Sequence, residues 1–198
     1  MKHLILLATM AVLFYSCGEQ KSETQSETPK VWQQIDVKEI TDNSVALFAD
    51  DWAIITAGTP DNFNMMTASW GCMGNLWNKP VALCFVRPQR YTFEFTERED
   101  CYTLTFFEES YREQLQYLGT VSGRDEDKVK GSNLTPKVLP SGNISFEEAR
   151  LIIECKKIYA DFFDESSFID TDIITNVYPT KDFHRIYIGE IIGVWEKK

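Results

Sequence analysis

Two arginines stand close together in Arg87-Pro88-Gln89-Arg90-Tyr91-Thr92, directly after an apolar run that ends at Val86. If that run is a strand and a helix follows, the junction suits a phosphate, because helix N-terminal N–H groups and guanidinium forks both favour a dianion. The same residues would also serve as a solvated turn whose arginines pair with surplus carboxylates. A second candidate is Asn64-Met65-Met66-Thr67-Ala68-Ser69-Trp70-Gly71, inside a stretch without charge from Phe63 to Trp77. It reads either as a buried strand and turn or as a polar-lined strand offering N–H and hydroxyl groups to an aromatic heterocycle. Asn, Thr, Ser and Trp are costly to bury unless each polar group finds a partner. Ser122-Gly123-Arg124-Asp125-Glu126-Asp127-Lys128, taken alone, is a charged surface loop. His184 is either an acid–base group or a strand residue bonded to a neighbour. Metal chemistry has little to use: the histidines are His3 and His184, and Cys72, Cys84, Cys101 and Cys155 show no C-x-x-C spacing. Cys84 and Cys155 fall in strand-like runs and read as small buried hydrophobes, while a disulfide among the four stays open.

Short strands separated by turns must position these residues. Ala53–Gly58, Val81–Val86, Tyr102–Phe107, Leu151–Cys155 and Ile186–Ile192 are β-branched or aromatic runs bounded by Gly, Pro or charge. Their nearly continuous apolarity predicts strands covered on both faces, as in a closed barrel with helices or a partner subunit outside. Two helices are signalled. Ser110 stands three residues before Glu113 as a capping box, with Tyr111, Leu115 and Leu118 on one face before Gly119. Thr92 to Glu99 is a second, with Thr92 as its cap. No G-x-G-x-x-G or G-x-x-x-x-G-K-[ST] occurs, so Rossmann and P-loop nucleotide sites are not indicated.

Taken in order, the segments resemble a known family. Asn64-x-Met66-Thr67-x-x-Trp70, Pro80, Val86-Arg87-Pro88-x-Arg90-Tyr91-Thr92, Val121-Ser122-Gly123-Arg124-Asp125-x-Asp127-Lys128, Glu154-Cys155-Lys156 and His184-x-x-x-x-Gly189-Glu190-Ile191 are similar to the flavin reductase-like family, flavoredoxins included. The resemblance spans roughly Ile40 to Val194. It implies a mainly β fold with short helices, the FMN-binding split β-barrel, assembled as a homodimer with each flavin near the subunit interface. It further implies that Asn64, Met65, Met66, Thr67, Ala68, Ser69 and Trp70 line the isoalloxazine and ribityl chain. Arg87, Arg90, Tyr91 and Thr92 would hold the phosphate, with Ser122, Gly123 and Lys128 closing around it. His184 would lie by the flavin face as the catalytic residue. Such a layout makes physical sense, since a tricyclic ring needs an apolar slot and its phosphate needs cationic and hydroxyl donors. The chain departs from the family pattern at Phe183, beside the histidine, and at Val129, where an aromatic commonly follows the lysine.

The N-terminus reads as an address. Lys2 supplies a positive end, and Leu4 to Tyr15 carries no charge. That run covers only about 18 Å as a helix, too short to span a bilayer. The sequence Leu13-Phe14-Tyr15-Ser16-Cys17-Gly18 resembles the lipobox of bacterial lipoproteins, which implies a signal peptide over 1–16 and lipidation of Cys17. Residues 17–30 then form a polar tether, and 31–198 the FMN-binding domain, exported and membrane-anchored in a bacterial envelope. Lys plus Arg number 20 against 30 Asp plus Glu, giving a net charge of −10 that argues against nucleic-acid binding. The expected function is that of an FMN-dependent oxidoreductase, passing electrons from NAD(P)H or a protein donor. A non-catalytic flavin or haem-type carrier on the same barrel is the alternative.

Overall fold

The computed structural model describes residues 30–198. The expectations for the signal peptide, Cys17 and all of the tether but Lys30 lie outside the described residues.

Among the described residues ten strands carry the fold: β1 (Trp32–Gln34), β2 (Ala53–Thr59), β3 (Asn62–Ala68), β4 (Gly71–Leu76), β5 (Lys79–Val86), β6 (Cys101–Phe106), β7 (Pro136–Val138), β8 (Ile144–Phe146), β9 (Leu151–Phe162) and β10 (Arg185–Lys197). Five helices accompany them: α1 (Ser44–Ala46), running into a π turn at Leu47–Asp51, then α2 (Tyr91–Arg98), α3 (Arg112–Thr120), α4 (Lys128–Ser132) and α5 (Asp172–Val177). The main sheet has eight strands in the order β3-β2-β6-β9-β10-β5-β4, with β1 added on β10. Every strand pair in it is antiparallel. Its two edges, β3 and β4, are consecutive in the chain, joined only by Ser69 and Trp70. The sheet therefore curls until its edges nearly meet, yet they do not pair. That gap is the split of a split barrel.

The predicted strands all form, and burial explains their composition. Along β2, Ala53 to Ala57 are buried without a break. Ile55 faces one apolar cluster with Leu104, Phe106, Ile153 and Tyr187, while its neighbour Ile54 faces another with Met65, Leu115, Leu118, Phe146 and Ile152. A strand with cover on both faces cannot alternate apolar and polar residues. The outer cover is α3 and the β7–β8 hairpin. Where threonines of β6 point into it, their hydroxyls are matched: Thr103 donates to the Ile144 carbonyl at 2.7 Å, and Thr105 meets the Ser145 hydroxyl at 2.9 Å.

Both helix-capping expectations need correction. Ser110 lies inside a 3-10 turn, Glu109–Tyr111, and α3 begins at Arg112 without a side-chain cap. Its apolar face is as predicted, with Leu115 and Leu118 buried. Helix α2 begins one residue before Thr92, with Arg90 at its cap position and no capping side chain. The Thr92 hydroxyl instead accepts a hydrogen bond from Asn64 Nδ2 at 2.8 Å. At Thr92 a tertiary contact outcompetes the local cap, and at Ser110 the 3-10 turn takes the residue into its interior. Cys72, Cys84, Cys101 and Cys155 are free thiols, Cys84 and Cys155 buried as small apolar groups. Burial pushes Cys84 up to about 12, which keeps it an inert thiol.

Candidate functional site

A cavity of about 470 Å³ opens where the barrel splits. Three stretches of chain converge on it: the end of β3 with its exit turn (Met66, Thr67, Ala68, Ser69, Trp70), the β5–α2 junction (Phe85, Arg87, Gln89, Arg90, Tyr91, Thr92), and the segment after α3 (Thr120, Val121, Ser122, Gly123, with Lys128 behind). His184, just before β10, completes the wall. The topology explains why a cavity forms here. An edge strand with no neighbour on one side presents a row of backbone groups that no ladder uses. Thr67 is anchored by donating to the Leu115 carbonyl at 2.5 Å, so α3 holds this edge in place.

One end of the cavity is cationic. Lys128 is buried, and its ammonium donates to the Met65 and Leu118 carbonyls, each at 2.8 Å. Two bonds leave one of the three N–H donors of an ammonium unspent. Burial, with Arg90 nearby, pulls Lys128 down to about 8. Arg90 donates to the Gly119 carbonyl at 3.1 Å, which aligns its fork over the same end. Helix α2 points its first turn here as well, and the Tyr91 and Thr92 amides have no partner within the helix.

The opposite end is aromatic. The Trp70 and His184 rings lie 5.0 Å apart at 46°. Tyr178 Oη meets His184 Nδ1 at 2.8 Å, which fixes the imidazole. Burial, then the charge of Arg87, lowers His184 to about 4 although Asp182 opposes the shift, so the ring is neutral near pH 7. A loop clasp closes the site from outside: Arg124 donates to the Gln89 carbonyl at 3.1 Å and covers the Tyr91 ring at 4.7 Å. Gly123 belongs to this closure. A Cβ there would stand 2.2 Å from Asn64 Oδ1, so only glycine lets the loop approach β3 this closely.

The residues expected at the site mostly meet in it, with three differences. Asn64 does not line the cavity; it is buried and positions Thr92 and the Gly123 loop. Met65 points to the other face of β3, into the cluster beneath α3, and contributes only its carbonyl, to Lys128. Alternation along a strand makes that inevitable once Met66 faces the barrel interior. Arg87 does line the wall, but its charge is paired with Asp182 at 2.6 Å, and it also donates to the Val177 carbonyl at 3.0 Å. Burial raises Asp182, but hydrogen bonds from Gln89, Thr180 and Arg87 outweigh it and hold the carboxyl at about 2. Phe85, Gln89, Thr120 and Val121 complete the lining and were not foreseen. Phe85 is recoverable from the two-residue period of β5, Gln89 from its place between the arginines, and Val121 from its place at the head of the Val121-Ser122-Gly123 motif; Thr120 carries no distinguishing signal.

Among the described residues no three His, Cys, Asp or Glu side chains converge as metal ligands, and no helix is long and apolar enough to cross a membrane.

Residues 45–198 match the model of the flavin reductase like domain. Solved structures share the architecture. An FMN-binding domain of a flavin reductases-like enzyme from Shewanella baltica superposes with a TM-score of 0.61 at 14% identity, over 85% of this chain and 78% of that one. Flavoredoxin from Methanosarcina acetivorans gives 0.58 at 19% identity, over 75% and 69%. An FMN-binding protein from Thermus thermophilus gives 0.57 at 19%, over 73% and 70%. No curated protein matches the chain.

Proposed function

The chain belongs to the flavin reductase like family, and from that premise we propose that the cavity at the split holds FMN and that the protein is a flavin-dependent redox protein. One observation carries the reading. A single cavity joins a cationic end, built from Arg90, Lys128 and the first turn of α2, to an aromatic end built from Trp70 and His184. Its volume falls within the ~300–1,000 Å³ of sites that bury small ligands. The donor set fits a phosphate at one end and a flat ring at the other, and the neighbours from Shewanella baltica and Thermus thermophilus are FMN-binding proteins.

In this reading Arg90, Lys128 and the Tyr91 and Thr92 amides hold the phosphate, with Ser122 and Gly123 closing over it. The free backbone groups of β3 between Met66 and Trp70 meet the ring system. Bound FMN supplies reversible uptake of one or two electrons. His184 stays neutral, oriented by Tyr178, and offers a hydrogen bond without adding charge to the ring. Arg87 positions: it locks Asp182, and through it the segment that carries His184. Trp70 shields the ring end from water.

The electrons come from NAD(P)H or a protein donor. The working unit is a homodimer, and Cys17 is lipidated, anchoring an exported protein in a bacterial envelope. An anaerobic absorption spectrum of the purified protein, with FMN added and then NADH or NADPH, tests the reading. A shifted flavin spectrum at one FMN per chain supports it, and bleaching identifies a nicotinamide donor. A featureless difference spectrum refutes flavin binding. For the anchor, Cys17→Ser should move the protein from the membrane to the soluble fraction; retention on membranes would place the anchor elsewhere.

A further inference from the structure

Beside the ring end of the cavity lies an apolar groove of about 570 Å³. It begins at Ser69, Trp70 and Phe85, which it shares with the cavity, and runs under α1 to the segment between β9 and β10. Its wall is a continuous row of rings. Phe85 and Phe163 are stacked at 5.7 Å and 14°, Phe163 meets Phe168 at 5.9 Å, and Phe168 meets Tyr178 at 5.9 Å. A row of rings, some stacked and some tilted, offers a flat molecule both offset-stacked and edge-to-face contacts. Trp70, with 47% of its surface exposed, stands between groove and cavity and belongs to both.

Charge decides what such a groove accepts. Among the described residues that line it none is charged; its polar groups are hydroxyls, the Cys72 thiol and the Trp70 indole N–H. The neighbouring cavity, by contrast, is lined by Arg87, Arg90, Lys128 and His184. A nicotinamide dinucleotide brings a pyrophosphate that requires cations or a helix N-terminus. Among the lining residues the cations are all on the cavity side, where the flavin reading already uses Arg90 and Lys128.

We propose that the groove is the co-substrate site and that it takes an uncharged planar ring molecule of the quinone class. The assignment rests on the flavin reading for the occupant next door, and it goes beyond that reading by naming the class of molecule presented to it. Ring and groove are matched in polarity as well as shape, since a quinone has no charge to desolvate and its carbonyls can reach the exposed Ser69 hydroxyl at the rim.

The test is equilibrium binding of duroquinone to the FMN-loaded protein, measured by calorimetry. All four open ring positions of duroquinone carry methyl groups, so Cys72 cannot add to it. Val45 and Ile173 line the groove but not the cavity, and both are exposed, at 73% and 40%. Val45→Glu and Ile173→Glu should each weaken duroquinone by about tenfold or more, because a bound ring would bury the new carboxylate. FMN affinity should stay within about twofold and melting should be unchanged, which excludes misfolding. Absence of saturable duroquinone binding, or equal binding by wild type and both variants, overturns the proposal. So does NADH binding that the same variants weaken, which would make this a dinucleotide site. A dimer that Ile173→Glu dissociates, with no duroquinone bound by wild type, would assign the groove to a second copy and likewise overturn it. FMN binding is read separately in the same titrations: FMN bound without duroquinone sinks this inference alone, while no FMN bound sinks the flavin reading.

Discussion

Four side chains at the cavity answer differently to pH and ligand, and each difference can be measured. Lys128 is pulled down to about 8 by burial, with Arg90 contributing. A phosphate beside it would restore the charged form, so FMN binding takes up a proton wherever the free amine is neutral. FMN affinity is therefore expected to fall as pH rises through 8, while riboflavin, with the same ring and no phosphate, shows no such slope. Calorimetry in two buffers of different ionisation enthalpy reads the proton uptake directly; a flat FMN profile would remove Lys128 from the phosphate end. The arginines divide as well. Arg90→Ala should cost FMN ~1.5–3 kcal/mol, or about 10- to 150-fold, and riboflavin little. Arg87→Ala should weaken both flavins alike, because it frees Asp182 and loosens the His184 segment rather than removing a phosphate donor. His184 reports on stability. Its folded-state value of about 4 lies below the 6.5 of an unfolded histidine. Between those values the unfolded chain binds a proton that the folded chain excludes, so this contribution is complete above pH 6.5 and is lost as pH falls toward 4. It amounts to at most about 3 kcal/mol, and His184→Gln should flatten the acid limb of a urea-midpoint profile by that share. An unchanged acid limb would show that His184 is not the group responsible.

At the scale of elements, the site depends on how closely the loop after α3 approaches β3. Gly123→Ala would drive a Cβ into Asn64 Oδ1, and Asn64 is the residue that holds Thr92. We expect FMN to weaken by about tenfold and the midpoint of melting to drop by a few degrees, about what 1–2 kcal/mol produces in a domain of this size. Removing the obstacle should rescue the loop, so Gly123→Ala combined with Asn64→Ala should cost less than the two single changes added together. Strict additivity would mean the contact does not matter. The five strands were legible in the sequence because two-sided burial writes an unmistakable apolar run, as in Ala53–Ala57. The cavity lining was legible where motif residues sit on a strand edge or at a helix start, as with Thr67, Arg90 and Thr92. Three things were not. The partner of a guanidinium is set by tertiary approach, so nothing in Arg87-Pro88-Gln89-Arg90 tells that Arg87 is committed to Asp182 across 95 positions of chain. Strand phase assigns Met65 to the outer cluster only once the register with β2 is known. Local caps at Ser110 and Thr92 were plausible by spacing; the first lost to a 3-10 turn that precedes α3, the second to the contact with Asn64.

On the scale of the whole molecule, the least economical feature is Trp77. Hairpin β4–β5 turns through Trp77 and Asn78, both left-handed at φ 54° and 59°. Such a two-residue turn favours Asn, Asp or Gly, and a tryptophan there carries the strain of a bulky side chain at positive φ. Trp77 is 57% exposed, and its ring meets edge-on, at 6.3 Å, that of Tyr159, itself 45% exposed. A single chain gains little from that arrangement. A second copy covering the hairpin would bury both rings, and aromatic anchors of this kind dominate the energetics of protein interfaces. The homodimer reading thus makes a prediction with two opposite signs. Trp77→Asn supplies a residue the turn prefers, so the isolated fold should be as stable as before or slightly more so. The dimer should weaken by about 2 kcal/mol or more, the loss typical of an anchor residue. Light scattering across a dilution series, alongside urea unfolding of the dilute monomer, separates the two effects. A dimer that survives the substitution unchanged would move the interface away from this hairpin, and a monomer in the wild type at every concentration would remove it altogether.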